Sequence, residues 1–85
     1  MPMFDRNDVV RVKPNRLSSY LKAFADRVRD RQAVVDKESS TRPGAFWVVF
    51  QKRAGRGKEF RELLVGDDLE LISRGGASDG RQNNG

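Results

Sequence analysis

The sequence predicts a mainly β domain: a five-stranded antiparallel barrel with one α-helix inserted between strands 1 and 2. Three observations predict it. Residues 45–73 hold three apolar runs, with a basic, glycine-bearing loop between the first two and an acidic turn between the last two. Two earlier stretches, 8–13 and 32–38, are short, valine-rich and bounded by polar or turn-forming residues. Between those stretches the apolar period changes from two to that of a helix.

Each element has its own justification. In residues 8–13, DVVRVK, Val10 and Val12 share one face, and Pro14 ends the strand because proline cannot donate to a ladder. Leu17, Leu21, Phe24 and Val28 then fall on one helical stripe, which predicts an amphipathic helix over 16–30 with Asn15 or Ser18 as its cap. Val34 and Val35 centre the second strand. Residues 39–44, SSTRPG, form a loop of hydroxyls followed by Pro-Gly. Residues 45–52 read as the strongest strand, rich in β-branched and aromatic side chains. The stretch RAGRGK is a hairpin loop, residues 59–65 a fourth strand, Gly66-Asp67-Asp68 a turn, and residues 69–73 a fifth strand. Residues 1–7 read as an N-terminal arm and the barrel as 8–73. The tail 74–85 holds no apolar residue larger than alanine, so it has nothing to bury against its ordering entropy and is expected to be disordered.

Composition narrows the function classes. A chain of 85 residues makes one domain and buries roughly 60–65% of its unfolded surface. It has no cysteine and no histidine, so it lacks a disulfide, an imidazole base, a thiolate nucleophile and the soft ligands of a zinc site. We expect no enzyme and no cofactor. No window is apolar enough to span a membrane, and no leader-like core follows the N-terminus, so the expected location is the cytoplasm. The net charge of +5 is uneven: residues 42–61 carry six basic and one acidic side chain, whereas 62–72 carry four acids and no base. Such asymmetry orients an encounter with an anionic surface.

The outline resembles the SH3-like small barrel. The residues that carry the resemblance are Asp8-Val9-Val10-Arg11-Val12, Ala33-Val34-Val35-Asp36, Trp47-Val48-Val49-Phe50 and Asp67-Asp68-Leu69-Glu70-Leu71, the last where such barrels place a one-turn 3₁₀ segment before the closing strand. Families with this outline do different things. KOW-type modules bind RNA or protein, the E subunit of photosystem I docks ferredoxin, type II dihydrofolate reductase is an enzyme, and peptide-binding SH3 domains take proline-rich ligands. The chain departs from each. Leu63-Leu64-Val65 stands where the reductase has Val-Gln-Ile-Tyr, Arg31-Gln32 stand where KOW modules have a glycine, and Tyr20 is the sole tyrosine for an aromatic groove.

Four groups of residues are candidate sites. The first is the basic hairpin, with Lys52, Arg53, Arg56 and Lys58 flanked by Arg42 and Arg61; its glycines let a backbone approach phosphates closely. It lacks the strand–helix context of a nucleotide-binding glycine loop. The second is Trp47, on the opposite strand face from Phe46, Val48 and Phe50. It could stack on a base, but the apolar helix stripe needs a surface, and covering Trp47 and Val49 satisfies both, which favours a structural role. The third is the helix's basic set, Arg16, Lys22, Arg27, Arg29 and Arg31, interleaved with Asp26 and Asp30 and best read as a solvated face. The fourth is the acidic group Glu62, Asp67, Asp68 and Glu70, read as turn chemistry rather than a metal or acid–base site. The single Arg-Gly-Gly of the tail is not a repeat. The expected function is a nucleic-acid-binding module (RNA or DNA) that contacts phosphates through Arg42, Lys52, Arg53, Arg56, Lys58 and Arg61, with Trp47 as a stacking residue. The alternative is a protein-interaction module that docks an acidic partner surface.

Overall fold

Strands form where the β-branched and aromatic runs lie, in a computed structural model that describes residues 3–51 and 58–75. They are β1 (Val9–Val12), β2 (Ala33–Glu38), β3 (Ala45–Phe50), β4 (Phe60–Val65) and β5 (Leu69–Ser73). All pairings are antiparallel, in one sheet of order β4-β3-β2-β1-β5. The protein is therefore mainly β, as the sequence predicts. The predicted closure into a barrel does not occur: β4 and β5 are the two edges, and the ladder does not join them. Even so, a single 3₁₀ turn, Gly66–Asp68, links one edge strand to the other. From Val65 to Leu69 the chain reaches at most ~15 Å, whereas the outer strands of a flat five-stranded sheet lie ~19 Å apart. The sheet must roll until its edges converge at that end. Gly66 sits at the convergence and donates to the Gly44 carbonyl at 2.7 Å. A Cβ on Gly66 would lie 3.0 Å from both that oxygen and the Phe46 ring.

One face of the sheet is the core. Val10, Val12, Ala33, Val35, Phe46, Val48, Phe50, Leu64 and Leu69 are buried together with Leu17, Ala25 and Val28 from the β1–β2 connection. Phe50 stacks on its cross-strand neighbour Phe60 with centroids 4.9 Å apart. The N-terminal arm belongs to this core too: Phe4 is buried and meets Phe46 edge-on at 5.4 Å.

The connection corrects the sequence reading. It is not one helix over 16–30 but a 3₁₀ segment, Pro14–Ser19, followed by a short α-helix, α1 (Lys22–Val28). Tyr20 and Leu21 between them are extended, with ψ of 160° and 141°. Neither Asn15 nor Ser18 caps a helix: the cap positions fall on Lys13 and Leu21, and neither makes a side-chain cap hydrogen bond. The break has a partner. Tyr20 donates its hydroxyl to Asp68 at 2.8 Å, Arg16 pairs with the same carboxylate at 3.3 Å, and the Asp68 carbonyl accepts the Lys13 N–H at 2.8 Å. These bonds tie the connection to the Gly66–Asp68 turn and fix the Tyr20 ring against Phe24, at the expense of helical continuity. Leu21 consequently points into solvent, 83% exposed, while Leu17 and Val28 reach the core from different elements.

The start of the tail is also held. Asp8 is 1% exposed. Its carboxylate accepts the backbone N–H groups of Gly75 at 2.7 Å and Asp5 at 2.9 Å and the Arg74 guanidinium at 3.2 Å. Arg74 and Gly75 are thus bonded to Asp8, the residue that leads into β1. Gly75 is required there, because a Cβ would fall 2.1 Å from the Asn7 carbonyl carbon. Residues 76–85 lie outside the described residues.

The broken helix makes a direct prediction. Leu21→Ala should change unfolding free energy by less than about 0.5 kcal/mol, whereas Val28→Ala should lower it by about 2 kcal/mol. Urea denaturation of the two variants checks this, and equal losses would restore the single-stripe helix.

Candidate functional site

The other face of the sheet carries the candidate site. Pleating sends Trp47 and Val49 away from Phe46, Val48 and Phe50. Register places Leu63 and Lys37 opposite Trp47, and Arg61 and Val34 opposite Val49. The helix, packed with the Phe46 side, does not cover Trp47. The expectation that it would is overturned, for a reason visible in the cross-strand partners. The Phe46 side offers Leu64 and Phe60 to an apolar helix, whereas the Trp47 side is interrupted by Lys37, Arg61 and Asp36, whose charges must keep contact with water. Trp47 is left half-buried.

Its ring is occupied instead by a side chain. The Arg61 guanidinium lies over the indole, 4.6 Å from the centroid, reaching diagonally across the β3–β4 pair. A register shift in β2 between Val35 and Lys37 places Asp36 beside it. Arg61 Nη2 donates to Asp36 Oδ2 at 2.5 Å, and Arg6 Nη2 donates to Asp36 Oδ1 at 3.1 Å. Arg6 Nε also donates to the Asp36 carbonyl at 3.2 Å. Trp47, Arg61, Asp36 and Arg6 thus form a continuous ladder. Beside it lies a shallow depression of about 220 Å³, lined by Arg6, Asn7, Val34, Asp36, Val49 and Gln51 among others. The two guanidinium groups, Arg61 foremost, hold the Asp36 carboxyl below its ordinary range.

The other sequence-predicted residues fall in different places. Lys52, Arg53 and Arg56 lie in the segment 52–57, outside the described residues. Lys58 is exposed, just before β4. Arg42 is exposed in the β2–β3 turn, where its carbonyl accepts the Ala45 N–H at 3.0 Å and its N–H donates to Ser39 Oγ at 3.1 Å. That turn precedes β3 and Lys58 follows it, so the length of β3, roughly 17 Å, separates Arg42 from Lys58. Arg42, Lys37 and Lys58 have no ion-pair partner among the described residues.

The remaining charges do structural work. Lys22 and Arg29 both pair with Asp26, at 3.3 Å and 2.9 Å, and hold its carboxyl below the ordinary range. Arg27 and Arg31 lie over the Phe60 ring at 4.2 Å and 5.2 Å, Arg31 also bonds the Gln51 carbonyl, and Arg11 pairs with Glu70. Burial, with help from the Asp68 carboxylate, pushes the Tyr20 hydroxyl well above its usual range, so Tyr20 acts as a donor and not as a base. Among the described residues no group of three or more acidic side chains is placed to hold a metal ion. No helix among them is long and apolar enough to cross a membrane.

Sequence reasoning missed Arg6 and Asp36. Arg6 lies in the N-terminal arm, far in sequence from its partner, and the bulge that brings Asp36 to Arg61 leaves no mark in composition. One signal was present: an acid following a run of valines in β2, facing an arginine-bearing strand across β3. We found no match to this chain among protein-family models, curated proteins or solved structures.

The ladder predicts a pH dependence. Ionised Asp36 is favoured by the fold, so its contribution is complete above the ordinary aspartate value of about 3.9. It is lost as the pH falls through the lower folded value. Carboxyl carbon shifts followed by NMR should give Asp36 a midpoint below that of a free aspartate, and Arg61→Ala should move the midpoint up. A wild-type midpoint at or above the ordinary value contradicts the ladder.

Proposed function

We propose that this chain is a small basic nucleic-acid-binding module of SH3-like fold rather than an enzyme. The fold reading is supported by the order β4-β3-β2-β1-β5 and by the one-turn 3₁₀ segment that carries the chain between converging edges. The observation that carries the functional reading is the open face around Trp47. An aromatic ring and a guanidinium lie on it, flanked by Lys37, and its two strands, β3 and β4, run into the basic hairpin 52–58. Stacking surface beside cations is what a sequence-tolerant nucleic-acid binder needs. Phosphate contacts come from Lys52, Arg53, Arg56 and Lys58, while Arg61 is engaged by Trp47 and Asp36. Arg42, at the far end of β3, contributes to long-range attraction more than to the same contact. Described residues carry no recognition helix suited to reading base edges, so discrimination among sequences is weak.

The test is salt dependence. For about four phosphate contacts to a single strand, affinity should fall roughly 50-fold between ~50 and ~200 mM salt. Arg53→Ala/Arg56→Ala should flatten the slope of log K against log salt by about one to two units. Fluorescence anisotropy with labelled oligonucleotides measures both. Salt-independent binding, or none, removes the reading; a nuclease-resistant acidic protein recovered in its place would establish the protein-docking alternative.

A further inference from the structure

Arg61 is a poor candidate for a simple phosphate contact. It is already engaged on one face by Trp47 and on one edge by Asp36, and Asp36 is shared with Arg6. Two cations around one carboxylate leave a single net positive charge on the cluster. The same bonds confer something a free arginine lacks. The guanidinium plane is fixed by the carboxylate, an aromatic ring supports it from below, and its side chain is still 46% exposed. A planar cation held this way offers its outer face to another π-system.

We propose that the guanidinium of Arg61, held over Trp47 by Asp36, is a stacking platform for an unpaired base, so that the ligand of this face is single-stranded nucleic acid. The inference rests on the nucleic-acid reading above and specifies its substrate class. The base faces of a duplex are stacked on one another and cannot reach a ledge on a sheet, whereas a single strand can splay its bases out. The adjoining depression of about 220 Å³ suits a neighbouring base: Val34 and Val49 supply apolar surface, and Asn7 and Gln51 supply amide donors and acceptors. Lys37, opposite Trp47 on β2, and Lys58, just before β4, are exposed cations available to follow the backbone. Charge complementarity and a stacked ladder thus coincide on one face.

The experiment compares short mixed-sequence single strands, DNA and RNA, with their duplexes on the full chain, read by the emission of Trp47, the sole tryptophan. Single strands should quench that emission and bind about tenfold or more tighter than duplexes. Arg61→Lys keeps the charge but removes the planar face. It should weaken single-strand binding about tenfold while leaving the salt slope and the melting temperature close to wild type. Duplex binding as tight as single-strand binding, an unquenched Trp47 at saturation, or unchanged affinity in Arg61→Lys overturns the platform and leaves a phosphate-binding module standing. Failure of every oligonucleotide to bind at low salt removes the nucleic-acid reading itself.

Discussion

The pleat of β3 is the constraint on which the rest depends. Its alternation gives the chain two apolar faces from six residues, and only one can be closed by so short a connection. Phe46, Val48 and Phe50 face Phe4, Leu17, Ala25, Val28 and Leu64, and form a continuous core. Burying rings of this size is worth several times what the exposed contacts on the other side can give. The choice of face is therefore made by the core. Trp47 is left to whatever its own face can supply, which in the isolated chain is Arg61.

The surrounding devices serve that division. The Tyr20–Asp68 bond pins the connection to the Gly66–Asp68 turn on the core side. The buried Asp8 carboxylate gathers the arm and the start of the tail by accepting from Asp5, Arg74 and Gly75. Asn7, adjacent to it, donates its N–H to the Val35 carbonyl at 2.8 Å, which seats Arg6 beside Asp36. One buried acid thereby fixes the arm, and the arm completes the ladder on the open face. Exposed ion pairs of the ladder's kind contribute little to stability.

Much of the fold was legible because strand residues announce themselves locally. β3 follows from its β-branched and aromatic run and β5 from the short apolar stretch after the Gly66-Asp67-Asp68 turn, and the trio Phe46, Val48 and Phe50 follows from alternation alone. The helix was misread because periodicity registers spacing and not the competing bond: Leu17 and Val28 are both buried, yet Tyr20 breaks the backbone between them to reach Asp68. Phe4 and Arg6 were unreadable in an arm whose partners, Phe46 and Asp36, lie far along the chain. The open face was half legible. Trp47 and Arg61 were singled out, but their contact depends on β3–β4 register, and Asp36 joins them through a bulge that composition does not encode. That Lys37 and Arg61 would keep the helix off Trp47 was present in the sequence, in the cross-strand pairs, once register was known.

The central claim is that the connection closes the Phe46 face and leaves the Trp47 face open. Methyl–aromatic nuclear Overhauser effects on the labelled chain test it most directly. The account predicts cross-peaks from the Val28 methyls to the core rings of Phe46 or Phe50 and none from Leu17, Ala25 or Val28 to the Trp47 indole. Cross-peaks between those methyls and the indole would place the helix on the other face and contradict it.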